Sequence, residues 1–179
     1  MSPFPTREFL LSWSFISPAS ITLTAFAFAG LEKLFPYDKG QKTLREGFWL
    51  DMVGYGFFQG LILGNVIFWL IDRVEDATEL RRLHLVSDWP VWLQLLFFFV
   101  VHDFYIYWFH RAQHRNKYLW RVHEAHHSVK DVDWLAGTRS HSLEILINQT
   151  IEFAPIVLLG GHPALVPLKA MIDALWGMY

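Results

Sequence analysis

The stretch HRAQHRNKYLWRVHEAHH, residues 110–127, carries five of the nine histidines of this chain. Each residue advances by about 100° around an α-helix, so His110 and His114 lie on one face of a predicted helix. His123, His126 and His127 share a face of the helix that is predicted to follow. Because only a short connection separates the two helices, their packing would bring all five imidazoles together.

Metal binding explains this cluster better than a structural role does. A lone histidine in apolar surroundings is usually a hydrogen-bonded structural residue, but five histidines at two helical spacings are not explained in that way. Buried polar groups are costly unless they are satisfied, and one bound cation satisfies several of them together. The chain has no cysteine, so nitrogen and oxygen must hold the metal. The predicted ligands are His110, His114, His123, His126 and His127.

Other polar residues near the cluster are weaker candidates. Asp103 lies seven residues before His110 and returns to within about 20° of its azimuth. A carboxylate there would accept the second ring N–H of a ligand histidine. Glu144 is the other candidate for this supporting role. His141 lies three residues before Glu144, and the pair is predicted either to form a structural contact or to add a metal ligand. The remaining histidines are expected not to bind metal: His84, His102 and His162.

The pentapeptide HEAHH, residues 123–127, fits more than one chemistry. As H-E-x-x-H it predicts a zinc protease that uses Glu124 as the general base for a metal-bound water. That interpretation leaves His110, His114 and His126 without a role. Two sets of imidazoles on facing helices are instead what a dinuclear centre in a helical bundle requires, and two irons would permit dioxygen activation. A membrane scaffold that binds metal without turnover is a third alternative.

The composition indicates a membrane protein. The chain is 53% hydrophobic and only 18% charged, which is unlike a typical soluble domain. Uncharged runs cover residues 9–31 and 52–71, and the run 89–109 is mainly apolar or aromatic, with His102 and Asp103 inside it. Each run can cross a bilayer core of about 30 Å as a helix. A signal peptide is the competing interpretation of the first run, which is longer than such a region usually is.

The predicted fold is all-α, a multi-pass membrane helical bundle with a histidine-rich helical cap. Residues 1–88 are predicted to form an amino-terminal membrane helical hairpin and a polar connector. Residues 89–179 are predicted to form the histidine-motif core, with one or two further membrane-embedded or interfacial helices after Glu144. Ser87 or Asp88 is expected to cap the helix that starts near Pro90.

Charge predicts the orientation in the membrane. Six cations crowd residues 111–139: Arg111, Arg115, Lys117, Arg121, Lys130 and Arg139. The positive-inside rule places this segment, and with it the histidine motifs, in the cytoplasm. Arg73, Arg81 and Arg82 would then lie outside, against the rule. A formal net charge of -2 and the lack of a recognisable motif argue against nucleic-acid binding.

Residues 102–144, HDFYIYWFHRAQHRNKYLWRVHEAHHSVKDVDWLAGTRSHSLE, resemble the core of the fatty acid hydroxylase and sterol desaturase superfamily. Its members share D-x-x-x-Y-W-x-H-R-x-x-H, then L-W-x-x-H-x-x-H-H-S, then R-x-H-x-x-E. The matching residues here are Asp103, Tyr107, Trp108, His110, Arg111 and His114, then Leu119, Trp120, His123, His126, His127 and Ser128, then Arg139, His141 and Glu144. The residue at the position of Glu124 varies in that superfamily, so the resemblance favours the dinuclear histidine centre over the zinc protease.

The resemblance implies an integral-membrane, non-haem di-iron oxidoreductase of the bacterial inner membrane or the endoplasmic reticulum. Such enzymes use O2 and external electrons to hydroxylate or desaturate a lipid C–H bond, in a fatty acyl chain, a sterol or a related lipid. It implies two iron ions held by the five histidines, with zinc as a possible substitute in purified protein. No nicotinamide or flavin motif is present, so we expect a cytochrome- or ferredoxin-type electron donor.

The superfamily also carries a further H-x-x-H-H block after another apolar helix. Residues 1–179 contain no such block. We therefore expect the chain to be truncated before the last histidine box, and expect these residues alone to be inactive.

Overall fold

The computed structural model describes residues 13–36, 39–40, 42 and 44–177, and all regular structure in this part of the chain is helical. The helices are α1 (Trp13–Leu34), a π-helical segment (Leu50–Gln59) that continues into α2 (Gly60–Thr78), α3 (Val91–Arg115), α4 (Lys117–His123), α5 (Ser142–Leu158) and α6 (Leu165–Gly177). Short 3₁₀ turns cover Leu80–Leu83, His126–Ser128 and Ala136–Thr138. The all-α prediction is confirmed for the described ranges.

Two helices among the described residues are long and apolar enough to cross a membrane, Leu50–Thr78 and Val91–Arg115. Only 11% of the apolar window of each is buried, whereas a core helix of a soluble protein would be mostly buried. Helix α1 is not one of these two. Residues 9–12 lie outside the described part, and a membrane crossing by residues 9–31 stays a prediction.

A small apolar core joins the helices. Its buried residues are Ile67 and Ile71 of α2, Val86, Phe98 of α3, Phe153 and Ile156 of α5, and Leu165 of α6. Helix α2 packs against α5, α3 against α4, and α1 against α6. The core therefore contains residues from both sides of the predicted boundary between residues 88 and 89.

The start of α3 differs from the expected cap. Pro90 is the N-cap residue, and no side chain caps this helix. The Ser87 hydroxyl donates instead to the His84 carbonyl at 3.0 Å, so the expectation that Ser87 or Asp88 caps α3 is wrong. Proline fixes its own φ at -59°, a value compatible with helix entry, but it offers no side-chain acceptor to the free N–H groups of the first turn.

The turn between α3 and α4 positions the histidines. Asn116 alone separates the two helices, and its backbone is extended. Its side-chain oxygen accepts hydrogen bonds from the backbone N–H groups of Tyr118 at 2.9 Å and Leu119 at 3.3 Å, which satisfies the free donors of the first turn of α4. Because the chain reverses within one residue, α4 folds back against the end of α3.

Candidate metal centre

Four of the five predicted ligand histidines meet at the junction of α3 and α4. One ring nitrogen from each of His110, His114, His123 and His127 lies within 4.8 Å of the others. The Nε2 atoms of His110 and His114 are 3.0 Å apart, as are those of His123 and His127. Nitrogens that bind one ion at about 2.0–2.1 Å lie about 3 Å apart when their bonds are at right angles. Each pair therefore has the spacing of two ligands of one ion, and the two pairs lie close enough for the four rings to hold a metal ion.

Glu144 fixes the orientation of His123. Its Oε1 lies 2.7 Å from His123 Nδ1 and accepts a hydrogen bond of 2.9 Å from Gln113 Nε2. All three side chains are buried, and the other carboxylate oxygen, Oε2, has no hydrogen-bond partner. A carboxylate at Nδ1 holds the ring proton on that nitrogen, which leaves Nε2 free for a metal. The donor set and its supporting carboxylate fit a metal ion.

His126 has a different position from the other four. Helix α4 ends at His123, and the chain then enters the 3₁₀ turn His126–Ser128, so the expected single helical face is split. The half-buried His126 ring stacks on His123 with centroids 5.5 Å apart, and its Nδ1 lies 3.4 Å from the Arg139 carbonyl oxygen. Because Nδ1 of His126 faces the Arg139 carbonyl oxygen, Nε2 is the ring nitrogen that remains available to bind a metal. His126 therefore adjoins the four-imidazole group but is not one of its members.

Asp103 and His141 lie apart from the four imidazoles. Asp103 is exposed and, within the described residues, its carboxylate forms no hydrogen bond or ion pair. It has the azimuth of His110, but seven residues rise about 10.5 Å along a helix axis, beyond hydrogen-bond reach. The exposed His141 is the N-cap of α5, where its Nδ1 accepts a hydrogen bond from Leu143 N at 3.1 Å.

A second polar cluster lies earlier on α3, around His102. The fully buried Lys169 Nζ is 3.0 Å from His102 Nδ1, 2.9 Å from Glu152 Oε1 and 2.6 Å from Asp173 Oδ2. The lysine ammonium thus fills the place that a metal cation would need, and the cluster is an ion-pair network. Sequence reasoning missed it, although ionisable residues in apolar surroundings were an available signal.

The electrostatics around His127 favour a neutral imidazole. Desolvation of the His127 ring by surrounding side chains, followed by repulsion from His123 and His126, lowers its pKa below the ordinary 6.5. A neutral ring is the form that binds a metal ion. The repulsion between neighbouring rings also disfavours adding protons to several of them at once.

The geometry favours a metal centre built from both helices over the zinc-protease interpretation. His110 and His114, for which the protease has no use, lie beside the ring nitrogens of His123 and His127. Glu124, the general base of that interpretation, is exposed, and no hydrogen bond or ion pair engages its carboxylate in the described part of the chain. The carboxylate that does contact a histidine ring of the group is Glu144.

Comparison with known proteins places the histidine-bearing half in a family. Residues 95–179 match the model of the fatty acid hydroxylase family. The chain is 36% identical over 145 residues to an ornithine lipid hydroxylase of Rhizobium tropici, covering 76% of this chain and 43% of that protein. It is 39% identical over 91 residues to a very-long-chain aldehyde decarbonylase of Oryza sativa subsp. indica, covering 50% and 34% of the two chains.

A methylsterol monooxygenase of Arabidopsis thaliana is 40% identical over 86 residues, covering 47% of this chain and 31% of the relative. This chain spans less than half the length of each of these three relatives. No solved structure gives a significant match.

Proposed function

Because residues 95–179 belong to the fatty acid hydroxylase superfamily, we propose that the protein is an integral-membrane, non-haem di-iron oxidoreductase acting on lipids. It hydroxylates or desaturates a C–H bond of a fatty acyl chain, a sterol or a related lipid, with O2 as co-substrate. The observation that carries this proposal is the group of four imidazoles whose ring nitrogens lie within 4.8 Å of one another.

His110, His114, His123 and His127 hold the metal in this proposal. Four imidazoles with the spacing of a common ion account for one metal position, and a second iron needs further ligands. His126 is the candidate that the superfamily resemblance supplies, and its ring stacks on His123. Imidazole nitrogen suits iron, and also zinc in purified protein. When bound, the two irons supply the activation of O2, with electrons from a cytochrome- or ferredoxin-type protein.

The side chains of this chain hold and orient the site. Glu144 keeps the ring proton on His123 Nδ1, and Gln113 donates a hydrogen bond to the same carboxylate oxygen. Both His110 and His114 lie in the last two turns of α3, a helix long enough to span a bilayer. A lipid that lies along α3 would therefore bring a carbon of its chain to the histidines, and holding it there is the main task of the protein.

Residues near the end of α3 support a position of the histidines close to the membrane surface. Tyr107 and Trp108 are exposed near the end of α3, and Arg111 Nη1 donates a hydrogen bond of 2.8 Å to the Tyr107 hydroxyl. The Arg111 guanidinium also lies 5.7 Å from the centre of the Trp108 ring. Aromatic rings with adjacent cations are typical of a membrane interface. We place the interface there, with a multi-pass topology and the histidine cluster on the cytoplasmic side.

Lipid analysis of membranes tests the proposal. Cells that express the full-length protein with an electron donor are expected to accumulate a lipid that has gained an oxygen atom or lost two hydrogens, whereas residues 1–179 alone are expected to give no product. Incubation under ¹⁸O₂ assigns the oxygen of a hydroxylated product. The double variant His110→Ala, His123→Ala removes two of the four imidazoles and is expected to abolish the product. A lipid profile equal to that of cells without the protein would contradict the proposed activity.

A further inference from the structure

A short segment, residues 138–142, connects the two supports of the histidine cluster; it is called the anchor segment below. The backbone carbonyl of Arg139 lies 3.4 Å from His126 Nδ1. Glu144, two residues beyond the segment, contacts His123. The position of the anchor segment therefore affects the orientation of both histidines.

Asp51 is the main partner of the anchor segment, although it lies outside the family match. It is fully buried in the first turn of the π-helical segment. Its Oδ1 lies 2.6 Å from Arg139 Nε and its Oδ2 lies 2.9 Å from Arg139 Nη2. Two parallel bonds between a carboxylate and a guanidinium permit only one mutual orientation and are strong. The Asp51 backbone carbonyl also accepts a hydrogen bond of 3.3 Å from Thr138 Oγ1.

Three further features secure this contact. Arg45 Nη2 lies 2.7 Å from Asp51 Oδ2 and 2.8 Å from Asp133 Oδ1, so two cations and two anions balance in the buried network. Gly47 has a φ of +83°, and a Cβ there would lie 2.6 Å from Arg139 Nη2. The side-chain amide of Gln59 donates to the Ser140 carbonyl at 3.0 Å and to Ser142 Oγ at 2.8 Å.

We propose that Asp51 is a positioning residue for the metal centre, acting through Arg139 on His126. The inference rests on the proposed function, because it concerns the same centre. Arg139 cannot rotate its guanidinium without losing one of two bonds to Asp51, and its backbone N–H donates to the Ala136 carbonyl at 3.2 Å, which restrains the neighbouring backbone. Gln59 holds the other end of the anchor segment. The helix Leu50–Thr78 thus fixes the segment between His126 and Glu144 from outside the histidine motifs.

Metal affinity of the full chain in lipid nanodiscs tests the role of Asp51. The probes are Fe²⁺ and Co²⁺ in competition with a chelator, and the Co²⁺ absorption bands report ligand number. Asp51→Asn keeps the shape of the side chain and removes its charge. Changes to groups that support a metal ligand lower metal affinity by about 10- to 100-fold, and we expect a loss in this range with altered Co²⁺ bands. The matched control is Asp72→Asn, since Asp72 is exposed on α2 and is expected to leave the affinity unchanged.

A double-mutant comparison separates positioning from general stability. If Asp51 acts through His126, Asp51→Asn should cause little further loss of affinity in a His126→Ala background. A purely structural role would instead add the same loss in both backgrounds. In metal-free protein, Asp51→Asn is also expected to speed amide hydrogen exchange in residues 139–143 but not in α3.

Gln59→Met provides the second variant, because it removes two hydrogen bonds without leaving a buried charge. We expect it to lower metal affinity by less than Asp51→Asn, with unchanged helix content. Wild-type affinity in both Asp51→Asn and Gln59→Met would overturn the role of Asp51 while leaving the proposed function intact. A wild-type chain that binds neither metal would instead overturn the proposed function itself, and the positioning role with it.

Discussion

His123 Nδ1 lies 2.7 Å from Glu144 Oε1, and both side chains are buried. The pair fixes which ring nitrogen of His123 faces the other three imidazoles. The same oxygen accepts a hydrogen bond from Gln113, so the carboxylate is held from two helices. A carboxylate in this position orients a ligand histidine and fixes its tautomer.

Glu144→Gln is expected to lower metal affinity by about 10- to 100-fold, because the neutral amide holds His123 less strongly than the carboxylate does. Chelator competition in nanodiscs measures the effect. Glu124→Gln is the matched control, since Glu124 is exposed, and it should leave affinity unchanged. The zinc-protease interpretation predicts the reverse pattern in peptide cleavage, which Glu124→Gln would abolish.

Lys169→Met is expected to destabilise the fold by about 3–5 kcal/mol, because it leaves the buried Glu152 and the half-buried Asp173 without their cation. Thermal unfolding in detergent, followed by circular dichroism, measures the loss. Lys130→Met is the control, since Lys130 and Glu46 form a strongly exposed pair whose contribution to stability is small. An unchanged unfolding temperature for Lys169→Met would show that the buried network contributes little.

The absence of cysteine allows the membrane orientation to be measured directly. Lys117→Cys, beyond the end of α3, is expected to react with a membrane-impermeant maleimide only when the cytoplasmic side is accessible. Ser87→Cys, before the start of α3, is expected to react from the opposite side. Labelling of both positions from one side would exclude a membrane crossing by Val91–Arg115.

Gly47→Ala is expected to disturb the anchor segment through two effects. The residue has a positive φ, which costs a non-glycine side chain about 1 kcal/mol or more, and the added Cβ would lie 2.6 Å from Arg139 Nη2. Lower thermal stability and lower metal affinity should therefore occur together. Gly64→Ala is the control, because a Cβ at Gly64 would meet nothing within 4 Å.

Local periodicity predicted the helices and much of the site. The pairs at i, i+4, His110 with His114 and His123 with His127, lie together because each spacing is close to one helical turn. Azimuth alone was misleading for Asp103, because it ignores the rise along the helix axis. It was incomplete for His126, because α4 ends at His123 and the chain enters a 3₁₀ turn.

The long-range contacts could not be read from the sequence. Lys169 meets His102 across 67 residues of chain, and Asp51 meets Arg139 across 88. No local pattern relates such positions, since their approach depends on how α3, α5, α6 and the π-helical segment pack. A buried polar residue in an apolar stretch signals that a partner exists, but it does not identify the partner.

Metal content tests the central claim most directly. The chain should be purified in detergent after growth with iron, and its metals measured by elemental analysis beside the variants His126→Ala and His110→Ala, His123→Ala. The four imidazoles predict at least one bound iron ion per wild-type chain, with a second where His126 supplies a ligand, less iron in His126→Ala and none in the double variant. One zinc ion that survives His126→Ala would favour the protease instead, and a wild-type chain without bound metal would contradict the metal centre.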